Sequence, residues 1–161
     1  MEKGLKINGE EIEFNKWSIG EITYPCITKS FKLKFDEIRL IALSPRLAMD
    51  DEILMITIID TKGKFRQFSC YEFGKEPIKK FEKKLDLKSL REIEWEKFSW
   101  EEHENGITDK VIYPKKLYWE DLFVKPKNLK KIIIQILKFL LIKKSISGKF
   151  NPKIEKYLNN K

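Results

Sequence analysis

The chain has 161 residues, 42% of them hydrophobic and 12% aromatic, which is enough to build a core and argues against wholesale disorder. Two cysteines exclude a disulfide scaffold, and seven scattered glycines exclude a collagen-like or linker-like chain. The net charge of +8 is unevenly placed: residues 125–161 hold eleven lysines against Glu155 alone, whereas the first 124 residues carry 22 basic and 24 acidic side chains.

In chain order, Leu5-Lys6-Ile7 and Glu11–Phe14 flank Asn8-Gly9, a hairpin signal in which Asn and Gly supply two positive-φ positions. Ile22–Thr28 alternates loosely around Pro25, as an edge or bulged strand does. Phe31–Phe35 alternates strictly, and Asp36-Glu37 breaks it. Ile38–Leu43 reads as the next strand, ended by Ser44-Pro45. Ile53–Ile59 reads as a buried strand, and Asp60–Lys64 as a turn with Gly63 left-handed. Phe65, Phe68 and Tyr71 belong to the returning strand. Pro77 then lies in the first turn of a helix with Ile78, Phe81 and Leu85 on one face and Lys79, Lys80, Glu82, Lys83 and Lys84 on the other.

Residues 86–124 hold three of the four tryptophans and more acids than bases. Here short strands at Ile93–Trp95 and Val111–Tyr113, with a turn at Glu104-Asn105-Gly106, compete with a helix through Leu90–Trp100. Asn128 is an N-cap for an apolar helix Leu129–Ile142, with Lys131, Gln135 and Lys138 as its narrow polar stripe and Lys143 and Lys144 at its C-terminal end. That stretch is shorter than the ~20 residues a membrane span needs. A last helix is expected over Pro152–Leu158, with a frayed polar end.

Up to about residue 86 this order of strands followed by one helix resembles the pleckstrin-homology-like fold of small bacterial proteins. The residues that carry the likeness are Asp36–Ile41, Ile53–Ile59, the turn Asp60–Lys64, Phe65–Phe73 and the helix Pro77–Leu85. The resemblance implies an antiparallel barrel closed by a helix, and a protein-interaction or assembly role. The family's phosphoinositide sites place basic residues in the first hairpin loop, which here is Asn8-Gly9-Glu10.

The sequence holds little apparatus for catalysis. His103, the one histidine, lies in the acidic run Glu101–Asn105, with no spacing that completes a metal-ligand set or a nucleophile–histidine pair. Cys26 and Cys70 form no CxxC pair, and no phosphate-binding glycine loop is present. Asp50-Asp51 with Asp60-Thr61-Lys62 could serve a small metal-dependent nuclease, as carboxylates around Mg²⁺ with a lysine near the attacking water. An ordinary hairpin turn also accounts for Asp60–Gly63 without a metal. Only four of the 33 basic residues are arginine, the side chain that grips phosphate and base edges, which argues against nucleic acid.

The expectation is an α+β protein: an antiparallel barrel-like sheet closed by an amphipathic helix in residues 1–88, and a Trp-rich extension, residues 89–161, ending in a long apolar helix and packed on it. The expected function is a non-enzymatic protein-binding module, in its specific form an immunity or antitoxin-like protein. Trp95, Trp100, Tyr113, Tyr118 and Trp119 are its contact candidates, because Trp and Tyr dominate interface hot spots. The alternatives are anionic-membrane binding through Lys130, Lys131, Lys138, Lys143, Lys144 and Lys149, and the small nuclease. The partner is another protein or a second copy of the chain; no cofactor, metal or small-molecule substrate is expected. No apolar run follows Met1–Lys6, so no signal peptide is read and a cytoplasmic location is expected.

Overall fold

The computed structural model describes residues 4–15, 30–48, 51–69, 75–90, 92–93, 109–124 and 149–160. The first sheet is an antiparallel meander of β1 (Gly4–Asn8), β2 (Glu11–Asn15) and β3 (Phe31–Lys34). Asn8 pairs with Glu11, so the hairpin loop is Gly9-Glu10, one residue later than the sequence signal. Gly9 has φ +60 and Glu10 is not among the positive-φ residues, the pattern of a turn with glycine first.

A 3₁₀ turn, Phe35–Glu37, then ends the first sheet. Its start is capped by the Glu37 carboxylate, which accepts from the Lys34 N–H at 3.0 Å. The second sheet has the order β6-β5-β4-β7, all antiparallel, from β4 (Ile38–Ala48), β5 (Asp51–Asp60), β6 (Phe65–Ser69) and β7 (Lys110–Tyr113). β4 runs through Pro45 instead of ending there. β7 pairs with β4 only over Ile41–Leu43, so at Pro45 the strand has one described neighbour, and a missing N–H on the open side removes no ladder bond.

The two sheets face each other across one core. Leu5, Ile12, Phe14 and Leu33 of the first meet Ile41, Leu43, Ile56, Ile58 and Phe68 of the second. The rings of Phe14, Phe31 and Phe68 lie 5.3–5.8 Å apart at the junction. Helix α1 (Lys75–Leu85) adds Phe81 and Leu85 to this core at the spacing the sequence predicts. The other face of the second sheet, carrying Leu40, Ala42, Ile59 and Val111, is buried under Leu117, Leu122 and Ile154. β4 and β5 are therefore covered on both faces, and this explains why they read as continuous apolar runs instead of alternating.

Helix α2 (Pro152–Asn159) lies in that outer layer. Its N-cap is Asn151, whose side chain accepts from the Lys153 N–H at 3.0 Å. Its C-terminal end is held where fraying was expected. A bulge in β4 between Ile38 and Leu40 aims Arg39 at it. The guanidinium donates to the carbonyls of Leu158 at 2.7 Å, Tyr157 at 2.8 Å and Asn160 at 2.6 Å. The Tyr157 hydroxyl donates back to the Arg39 carbonyl at 3.2 Å.

This architecture corrects the expected one. The fold is α+β, but the described strands form two sheets and no closed barrel, because the 3₁₀ turn after β3 breaks the ladder that a barrel would continue. The pleckstrin-homology-like barrel is therefore not the arrangement found. No long apolar helix exists among the described residues; positions 129–142, where it was expected, and the expected strand 22–28 lie outside them. Leu90, Ile93 and Ile112 pack in the same core as Leu85, and β7 hydrogen-bonds to β4. No described helix is long and apolar enough to cross a membrane.

Candidate functional site

The candidate surface is the loop that leaves β7, and its geometry follows from a short relay of backbone bonds. The Tyr113–Pro114 peptide is cis, and a 3₁₀ turn spans Lys115–Leu117. The chain then reverses through Leu117-Tyr118-Trp119-Glu120, closed by the Glu120 N–H donating to the Leu117 carbonyl at 3.1 Å. Tyr118 has φ −54 and ψ 129, and Trp119 has φ +67. These are the angles of a type II turn, whose third position normally requires glycine. A bulky residue held there stores about 1–3 kcal/mol. The surroundings hold it: the Trp119 N–H donates to the Val111 carbonyl at 2.7 Å, and the Val111 N–H donates to the Glu120 carbonyl at 2.9 Å.

Tyr118 and Trp119 are half-buried, one side of each against the main core, with ring centroids 5.8 Å apart. The buried Tyr118 hydroxyl has no hydrogen-bond partner among the described residues. Two lysines approach the rings. Lys88 Nζ lies 5.9 Å from the Tyr118 centroid and Lys110 Nζ 5.9 Å from that of Trp119. Lys110 is also fixed by Asp121, with Nζ 2.7 Å from Oδ1.

The end of α1 places Lys88. Asp86 takes the left-handed position after the helix (φ +51), the Leu87 N–H donates to the Glu82 carbonyl at 2.9 Å, and the Asp86 N–H to that of Lys83 at 3.4 Å. The Glu82 carboxylate accepts from the Leu90 N–H at 2.7 Å, which turns the chain back onto the core. Asp86 also pairs with Lys115, tying α1 to the loop.

Of the sequence candidates, the structure packs Tyr113, Tyr118 and Trp119 against the main core. Trp95, Trp100, Lys130, Lys131, Lys138, Lys143 and Lys144 lie outside the described residues, as do His103, Cys26 and Cys70; Lys149 is exposed. Sequence reasoning assigned no role to Lys88, Lys110 or Arg39, because each meets its partners across nine or more residues of chain, where no local spacing speaks.

Asp60, weighed above as a metal ligand, anchors the β5–β6 turn. Its carboxylate accepts from the N–H groups of Lys62 at 2.9 Å and Lys64 at 2.8 Å and from Arg66 Nη1 at 2.6 Å. Burial pulls its pKa upward, but those N–H groups and the guanidinium together hold it below the ordinary 3.8. Asp50 lies outside the described residues, and Asp51 enters as backbone paired with Ala48. Among the described residues no three His, Cys, Asp or Glu side chains converge as a metal site.

Comparison of the chain with family models, curated proteins and solved structures finds no significant match.

Proposed function

We propose that this protein is a binding module for another protein and that the Tyr118–Trp119 turn is its point of contact. The observation that carries the reading is a tryptophan at the glycine position of a type II turn. Glycine there would relieve the strain, so we read the accessible part of this half-buried ring as serving a contact outside the fold as well as the core it packs on. Rigid, half-buried aromatic rings with cations beside them are what interface anchors look like, since little side-chain freedom is lost on binding.

The test exploits the same geometry. Trp119→Gly keeps the turn and deletes the ring. Cross-linking in the native cell followed by mass spectrometry should recover a specific protein with the wild-type chain and lose it with Trp119→Gly, while circular dichroism stays unchanged. Equal recovery of that protein by a folded Trp119→Gly variant would sink the proposal.

A further inference from the structure

Helix α1 carries more positive charge than its packing uses. Its outward arc holds Lys79, Lys80 and Lys83, all exposed and without an ion pair among the described residues, with Glu76 as the acid on that side. Lys79–Lys83 and Lys80–Lys84 are like-charge pairs four residues apart, an arrangement that weakens a helix. Lys84 is relieved by Glu10 of the first hairpin, and Glu82 is committed to the Leu90 N–H. The positive face continues past the end of the helix: Lys88 stands over Tyr118 and the exposed Lys115 pairs with Asp86, whereas Lys116 Nζ lies 4.4 Å from the centroid of the Tyr157 ring in the outer layer.

We infer that the lysine face of α1, continued by Lys88 beside the Tyr118–Trp119 turn, docks an acidic protein segment. The inference rests on the protein-binding reading of that turn and adds the chemistry of the partner. Acidic side chains of the partner offset the repulsion along α1, while its apolar groups meet the two rings. An anionic bilayer fits less well. The large apolar side chains exposed among the described residues, Phe65 and Val124, belong with Phe150 and Lys149 in the outer layer, and the two rings beside α1 are half-buried against the core. A nucleic acid fits less well because lysine lacks the planar fork that reads phosphate and base edges.

The experiment uses the full chain and fluorescein-labelled poly-glutamate, read by anisotropy at low and physiological salt. Three reporters are compared: the triple variant Lys79→Gln, Lys80→Gln, Lys83→Gln; the equally charged control Lys149→Gln, Lys153→Gln, Lys156→Gln in the outer layer; and Trp119→Gly. The α1 triple variant should weaken binding roughly 3- to 100-fold, the product of three exposed ion pairs. The control should change it less than about twofold, and salt should weaken the wild type as the screening length contracts. Melting of the α1 triple variant should be unchanged or raised, because like-charge pairs have been removed.

No wild-type binding, or equal losses in the two triple variants, overturns the inference. So does equal or tighter binding to phosphatidylserine vesicles or to single-stranded DNA. If the α1 triple variant loses binding and Trp119→Gly does not, the acidic-partner inference stands and the aromatic contact fails. The reverse result removes α1 and leaves the aromatic contact.

Discussion

Replacing Arg39 with methionine should loosen the outer layer of the fold without disturbing the main core. Arg39 is half-buried, and its guanidinium donates to three carbonyls at the end of α2 at 2.6–2.8 Å. Bonds from a charged donor contribute about 1.5–3 kcal/mol each when buried. The Asn160 carbonyl is exposed and water can replace its bond, so about 1 kcal/mol per bond is the better figure here. Charge at the helix C-terminus adds about 0.3–1 kcal/mol. Methionine keeps the aliphatic stem and its packing. The expected loss is therefore about 2–4 kcal/mol, which for a chain of this length lowers the melting temperature by roughly 5–15 °C. Arg39→Lys should recover only part of this, because one ammonium cannot span three diverging carbonyls. Thermal denaturation gives the magnitude, and amide hydrogen exchange gives the location: protection should fall first at Ile154–Leu158 and stay high in β5. A melting temperature within about 1 °C of wild type, with unchanged exchange in α2, would refute the assignment of Arg39 as the clamp on this helix.

Asp60 makes the acid limb of stability predictable. Its pKa is depressed in the folded state, so its contribution is fully present above the unfolded value of 3.8 and is lost as pH falls through the lower folded value. Urea denaturation from pH 6 downward should show this loss, and Asp60→Asn should be less stable by about 1–3 kcal/mol at neutral pH with a flatter acid limb; an unchanged acid limb would contradict it. Gly9→Ala should cost about 1 kcal/mol through φ +60 alone, because nothing lies within 4 Å of the added methyl; a loss several times larger by the same denaturation would mean the turn is packed, not merely strained.

Local signals in the sequence carried the local structure. Ile78, Phe81 and Leu85 recur at helical spacing, and the structure buries Phe81 fully, Leu85 almost so and Ile78 in part. Asn151 before Pro152 marks the start of α2, because a side-chain acceptor and a residue without an N–H satisfy the first turn whatever surrounds it. Gly63 is left-handed, as a turn closed on Asp60 requires. These patterns are legible because the interacting atoms are within a few residues of one another. Tertiary contact decided the rest. Pro45 reads as a strand end until the pairing shows that its open side has no described neighbour. Nothing near Lys110–Tyr113 says that the strand joins β4, since pairing depends on which edge is free after the sheets have packed. The Trp119 turn has no glycine to announce it; the backbone bonds to Val111 and the packing of the ring on the core hold a tryptophan in that conformation. Arg39 looked like one more charge on a strand; a bulge and a helix more than a hundred residues away made it a clamp. The sequence determined which segments bury apolar faces, because burial is paid for residue by residue; the structure decided which faces meet, because that depends on every segment at once.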